Sequence, residues 1–322
     1  MLKFVLYALA AVVALILIGA GTAWLLLRAP DLTASELESG LVDANDHFIE
    51  LRPGLRLHYR EEGGADKPVI LLLHGYGDSY ATWAGWAQVL APDYRVISLD
   101  LPGHGLTAAP EDFVLDGQAF TQIVIDFADR LHLPPFVLAG NSMGGGVSWK
   151  VALAEPQRLR GLVLVDAAGW PNEAVTGANS PSLAFRILQY PLGRALLASI
   201  DNRPLIKQGL TAQVHDKSLI TDAVIDRWAL YQRYPGHRRI LMSAAPTSQP
   251  TATPEQLAGL KVPTLALHGI DDPLIPVEHS RRFASSIPNA RLIVYPDVGH
   301  MPQREIPERS ARDVANFVAT LP

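Results

Sequence analysis

The chain has 322 residues, with 27 basic and 32 acidic side chains and a formal charge of −5. That balance excludes the strongly basic face on which electrostatic nucleic-acid binding depends, so no nucleic-acid partner is expected. Apolar residues make up 48% and charged residues 18%, enough apolar material to bury a core. With no cysteine, disulfides, thiolate zinc sites, iron–sulfur clusters and cysteine nucleophiles are ruled out.

Residues 4–27 carry no charge and are bracketed by Lys3 and Arg28. As a helix the run would be roughly 36 Å long, enough to cross a hydrocarbon core of ~30 Å with some tilt. A cleaved signal fits less well, because its apolar region usually spans about 7–15 residues. Residues 1–28 are therefore expected to be a single-pass membrane anchor. The flanking charges favour, weakly, an N-terminus in the cytoplasm and the body on the extracytoplasmic side. Residues 29–45 are polar, contain turn formers and read as a linker.

From residue 46 onward a periodic pattern begins. Residues 48–51 and 55–60 read as short strands around Pro53-Gly54. The run 69–73 (VILLL) is continuously apolar, as in a strand buried on both faces, and 96–99, 136–139, 162–165, 264–267 and 292–295 are similar. Helical patterns at 82–90, 120–131, 144–154, 277–286 and 308–320 lie between most of them. Strand alternating with helix predicts an α/β fold with a mostly parallel sheet covered on both faces. Residues 170–253 break the alternation: 183–200 and 219–231 read as helices, and prolines divide the segment. It is expected to form a helical cap over the carboxyl edge of the sheet. Leu183, Ala184, Ile187, Leu188, Leu192, Ala195, Leu196 and Ile200 supply apolar surface there, for an acyl pocket, for a membrane interface or for plain packing.

The sharpest chemical motif is Gly140-Asn141-Ser142-Met143-Gly144, between a strand and a helix. That context suits a nucleophile elbow, in which a tight turn lifts the serine hydroxyl above the sheet edge. Ser142 needs a base, since an unassisted hydroxyl is a poor nucleophile. His300, just beyond the last strand run, is the candidate, whereas His74 and His104 precede the nucleophile in glycine-rich turns and read as hydrogen-bonding loop residues. The remaining histidines read as surface or satisfied loop residues. A carboxylate should orient the imidazole, and Asp272, Asp271 or, as runner-up, Asp166 stands at a suitable strand end. The oxyanion hole should combine the N–H of Met143 with that of Tyr76 in the His74–Ser79 loop.

With these residues in place the chain resembles the α/β-hydrolase superfamily over roughly residues 45–322. HGYGDS from His74 looks like its oxyanion loop, and the turn from Asp100 to Gly105 like its D-x-P-G-x-G element. GNSMGG looks like its elbow, GIDDPLIP from Gly269 like its acid loop, and Gly299-His300 like its terminal histidine motif. The resemblance implies Asp272 rather than Asp271 as the acid. His268 departs from the tryptophan many relatives carry, with little consequence expected. The serine elbow excludes members that use an aspartate nucleophile. Carbon–carbon bond hydrolases of aromatic degradation share a similar elbow but typically place a tryptophan after the histidine, where this chain has Met301. The anchor joined to this body looks like membrane-anchored monoacylglycerol lipases and bacterial esterases. The resulting expectation is a serine esterase acting on a small-molecule or lipid ester, without metal or organic cofactor. A carbon–carbon bond hydrolase and a catalytically silent ligand-binding protein are the rivals.

Overall fold

In a computed structural model, residues 2–170, 190–243 and 251–322 are described. The first part of the expected cap helix, with Leu183, Ala184, Ile187 and Leu188, lies outside them. The apolar runs become strands β1 (Asp46–Arg52), β2 (Leu55–Glu62), β3 (Val69–Leu73), β4 (Arg95–Leu99), β5 (Phe136–Asn141), β6 (Leu159–Val165), β7 (Thr264–Gly269) and β8 (Arg291–Tyr295). They form one eight-stranded sheet of order β1-β2-β4-β3-β5-β6-β7-β8. β1, β2 and β4 pair antiparallel, and every pair from β4 to β8 is parallel.

Side chains on a strand alternate between faces, and β3 shows the result. Leu71 and Leu73 pack with Phe120, Val124, Phe127 and Val147 from helices α4 (Gly117–Arg130) and α5 (Met143–Ala154). Ile70 and Leu72 point the other way, onto Trp86 and Leu90 of α3 (Ala84–Leu90) and Val314 and Phe317 of the helix Pro307–Val318. All five residues of β3 are buried, and each Leu or Ile contributes about 1.5–3 kcal/mol by leaving water. The α4 stripe at Phe120, Ile123, Val124 and Phe127 has helical spacing, and the Asp116 carboxylate caps its start by accepting from Gln118 N–H.

The N-terminal helix α1 spans Leu2–Leu27, about 39 Å at the helical rise. Its Lys3–Leu27 stretch is long and apolar enough to cross a membrane and is not covered by the rest of the protein. Residues 29–45, expected as a linker, instead carry a packed helix, α2 (Ala34–Leu41). Thr33 and Glu36 close a capping box at its start, and Leu37 is buried against Tyr80, Tyr231 and Tyr234. Glu38 accepts from Arg56 Nη1 and Nη2 at 2.8 and 3.2 Å and from the Tyr234 hydroxyl at 3.0 Å. The composition did not announce this helix because it buries one residue, Leu37, and the partners of Glu38, Arg56 and Tyr234, are distant in sequence.

The cap helices among the described residues are Pro191–Ser199, Arg203–Gln213, Asp222–Gln232 and His237–Ser243. The second and fourth were not anticipated as separate elements. The cap is bolted to the end of α1: Ala29 N–H donates to Ser199 O and Asp201 N–H to Leu27 O, each at 2.9 Å. Trp24 Nε1 also donates to Ser199 Oγ at 2.9 Å.

Candidate active site

Ser142 stands between β5 and α5 with φ 53° and ψ −115°, a conformation that costs a non-glycine residue about 1–3 kcal/mol. The turn holds because its flanks allow no alternative. A Cβ on Gly140 would come within 2.3 Å of the Gly144 backbone, so only glycine fits there. Ser142 N–H donates to Val165 O at 3.0 Å, tying the turn to the end of β6.

His300 follows β8 and comes to the same edge. Its N–H donates to Gln213 O of the cap at 2.7 Å, and its carbonyl accepts from the Asn141 amide, next to Ser142, at 3.1 Å. Nδ1 lies 2.6 Å from Asp272 Oδ2, and both side chains are enclosed. Asp272 Oδ1 accepts from the N–H groups of Leu274 and Ile275 at 2.7 and 3.0 Å. Burial pushes the Asp272 carboxyl up, but the bond to His300, the imidazole charge and the two N–H groups outweigh it and hold the pKa below the usual carboxylate value. This is the environment of an ionised acid that fixes an imidazole with Nδ1 protonated and Nε2 free.

The other two acid candidates have different surroundings. Asp271 is exposed, and its Oδ2 lies 2.8 Å from His215 Nδ1. Asp166 directly follows β6, fully buried, and its Oδ1 accepts from Gly269 N–H at 3.0 Å. Burial, then the charge of Asp272, pushes its pKa well above the ordinary carboxylate value. Of the two carboxyls, Asp166 thus holds its proton the more tightly.

Gly75 brings the His74–Ser79 loop against the serine. A Cβ there would sit 3.3 Å from Ser142 Cβ, tighter than most real contacts. The Tyr76 N–H has no acceptor among the described residues, and Met143 opens α5, where the first N–H groups have no intrahelical partner. The Tyr76 hydroxyl donates to Leu241 O in the cap at 2.7 Å. A cavity of about 270 Å³ lies between this loop and the cap, lined by Tyr76, Leu197, Leu205, Leu210, Trp228 and Met242 among others.

His74 and His104 are loop residues, as expected. His74 Nδ1–H donates to Gly75 O at 2.7 Å while Nε2 accepts from Leu101 N–H at 3.0 Å. Burial pushes the His104 pKa well down, so that ring is neutral. His268 does more than its position in the sequence suggested. Its ring is buried, bonds Ser280 Oγ and Ile275 O, and lies 3.8 Å from Asp272 Oδ2; burial depresses its pKa to about 4. It braces the acid loop as a neutral ring. His58 is neither a surface nor a loop residue. It is enclosed in β2 with Nδ1 2.7 Å from Asp100 Oδ2 and Nε2 3.1 Å from Asp46 Oδ1. Alternation along β2 puts it on the face of Arg56 and Arg60, opposite Leu55, Leu57 and Tyr59, so the strand pattern gave no signal of its burial.

Among the described residues, two groups bring possible metal-ligand atoms within 4.8 Å of one another: Asp166, Asp272 and His300, and the exposed His215, Asp271 and Asp297. In the first, His300 Nδ1 is already engaged by Asp272 at 2.6 Å.

Comparison with known proteins follows the geometry. The sequence profile of the alpha/beta hydrolase fold matches residues 68–305. A 2-hydroxy-6-oxononadienedioate/2-hydroxy-6-oxononatrienedioate hydrolase of Comamonas testosteroni is 30% identical over 277 residues, 82% of this chain and 91% of that protein. Among solved structures, a meta-cleavage product hydrolase of Pseudomonas fluorescens is 27% identical over 85% of this chain and 97% of its own, with a TM-score of 0.71. An esterase of Rhodococcus is 26% identical over 86% of this chain and 100% of its own, with a TM-score of 0.69.

Proposed function

The chain belongs to the α/β-hydrolase family, and on that premise we propose that it is a membrane-anchored serine hydrolase of carboxylic esters with apolar acyl groups, of medium-chain or monoacylglycerol type. Ser142 Oγ attacks the ester carbonyl while His300 Nε2 takes its proton. The N–H groups of Tyr76 and Met143 receive the negative charge that develops on the carbonyl oxygen. His300 then gives the proton to the departing alcohol, leaving an acyl group on Ser142. Water, deprotonated by His300, releases the acid and restores the serine. Asp272 holds the ring with Nδ1 protonated and stabilises the imidazolium at each step.

The observation that carries the ester reading is the cavity beside Tyr76. Its described lining is mainly aliphatic and aromatic, and its one cation, Arg238, is committed: Nη2 lies 2.5 Å from Asp31 Oδ1 and Nη1 donates to Ile200 O at 3.3 Å. A dioate such as the one named for the Comamonas relative carries two carboxylates and calls for uncommitted positive charge. An acyl chain calls for none. The carbon–carbon bond hydrolases among the relatives keep that reading as the alternative, since the Ser142 constellation serves both reactions.

The test is initial-rate hydrolysis by the full chain in neutral detergent micelles. The substrates are 4-nitrophenyl esters of increasing acyl length, monoacylglycerols and a 2-hydroxy-6-oxo-dienoate, each compared with Ser142→Ala. Ester hydrolysis that vanishes in the variant is expected. Turnover of the dienoate with no ester hydrolysis would overturn the reading.

A further inference from the structure

A second cavity, of about 640 Å³, lies at the end of α1, away from the serine. Its apolar lip is Leu26 and Leu27, the last residues of the uncharged helix, and its walls carry Arg28, Arg203, Arg227 and Arg233 against Asp201 and Asp226. The two carboxylates are both engaged by Arg203, with oxygens 2.6 and 3.4 Å from its guanidinium nitrogens. Arg233 spends one N–H on Pro30 O at 2.9 Å. Arg28 stacks over the Trp24 ring, 5.5 Å from its centroid, and among the described residues neither Arg28 nor Arg227 is in an ion pair. The cavity therefore keeps an excess of positive charge in a protein whose net charge is −5.

Arginine forks match the oxygens of a phosphate, and such charge-assisted bonds are about twice as strong as neutral ones. The place of the cavity adds a source. If α1 spans the bilayer, its last turn lies at the boundary between hydrocarbon and headgroups, where lipid phosphates are concentrated. The neighbouring cap helix Pro191–Ser199 turns Leu192 and Leu196 outward, 83% and 46% exposed, as a surface lying on acyl chains would.

We propose that the cavity bounded by Arg28, Arg203, Arg227 and Arg233 binds a phosphate group, supplied by a phospholipid headgroup, and so seats the cap on the bilayer. The proposal rests on the membrane-anchor part of the functional reading and is independent of the ester chemistry.

The experiment uses the full chain with Ser142→Ala, so that no probe is hydrolysed, in maltoside micelles. Calorimetric titrations are run with dihexanoylphosphatidylglycerol, with dihexanoylglycerol, which lacks the phosphate, and with inorganic phosphate. They are repeated in Arg28→Gln/Arg227→Gln, whose melting curve checks that it is folded. Saturable binding of the phospholipid with an affinity at least tenfold lower in the double variant is expected, while any binding of dihexanoylglycerol in the cavity beside Tyr76 is the same in both proteins. Phospholipid affinity unchanged in the folded double variant would overturn the site. Inorganic phosphate binding as tightly as the lipid, with the same arginine dependence, would overturn the lipid as its source. Alkaline carbonate extraction of cell membranes tests the anchor separately. A chain that stays with the membrane yet shows no arginine-dependent binding defeats this proposal and leaves the anchor standing.

Discussion

The buried His58 predicts a loss of stability in mild alkali. Burial disfavours the charged ring, but Asp100 and Asp46 on its two nitrogens overcome that penalty and raise its pKa from 6.5 to about 9. A group whose pKa is raised by folding stabilises the fold fully below its unfolded value and loses that contribution as pH climbs through the folded one. The window is therefore pH 6.5 to about 9. A shift of this size corresponds to about 3 kcal/mol. Above the window Asp46 and Asp100, whose pKa values are both held down, remain as buried carboxylates beside a neutral ring. For a chain of this size the loss amounts to roughly 4–6 °C in melting temperature. The assay is thermal unfolding of the full chain in micelles between pH 6 and 9.5, beside His58→Gln, which cannot titrate. A steep fall in the parent and a much shallower one in the variant are expected. Parallel curves, or a flat parent curve, would refute the reasoning.

Other outcomes follow from the same geometry. Asp272→Asn should lower kcat by about 10³–10⁴-fold with Ser142 and the fold intact, because the imidazole loses the anion that fixes its tautomer. Asp166→Asn replaces, with a near-isostere, a carboxyl that does not touch His300 and whose ionisation burial disfavours, and should keep kcat within about tenfold of the parent; a collapse of activity there, with Asp272→Asn still active, would exchange the two roles. Ile206→Trp fills the cavity beside Tyr76 and should shift the preferred acyl chain to shorter lengths, read from kcat/KM along the 4-nitrophenyl series.

Much of the sheet and the elbow was legible because the signals are local. Runs such as 69–73 have few alternatives to a strand buried on both faces, and the glycines around Ser142 announce a turn that tolerates no side chains. The preference for Asp272 over Asp271 came from a motif, and the reason it suits the position is tertiary: a peptide N–H pair and an imidazole that converge only in the fold. What stayed hidden is built from distant positions. The arginine cavity gathers residues 28, 203, 227 and 233, and the His58 cluster joins residues 46, 58 and 100, so no sequence window contains either. Helix α2 was missed because its single buried leucine gives too weak a period to stand out.

The packing of α2 also relocates the boundary at which this protein can be shortened. Cutting at residue 45 would discard Glu38 and Leu37, stripping Arg56 and Tyr234 of their acceptor and exposing the tyrosine floor between sheet and cap. A cut just before Ala29 would keep those contacts and the Ala29–Ser199 bond. The apolar helix and the folded body thus meet at residue 28, and the polar stretch beyond it is masonry rather than tether.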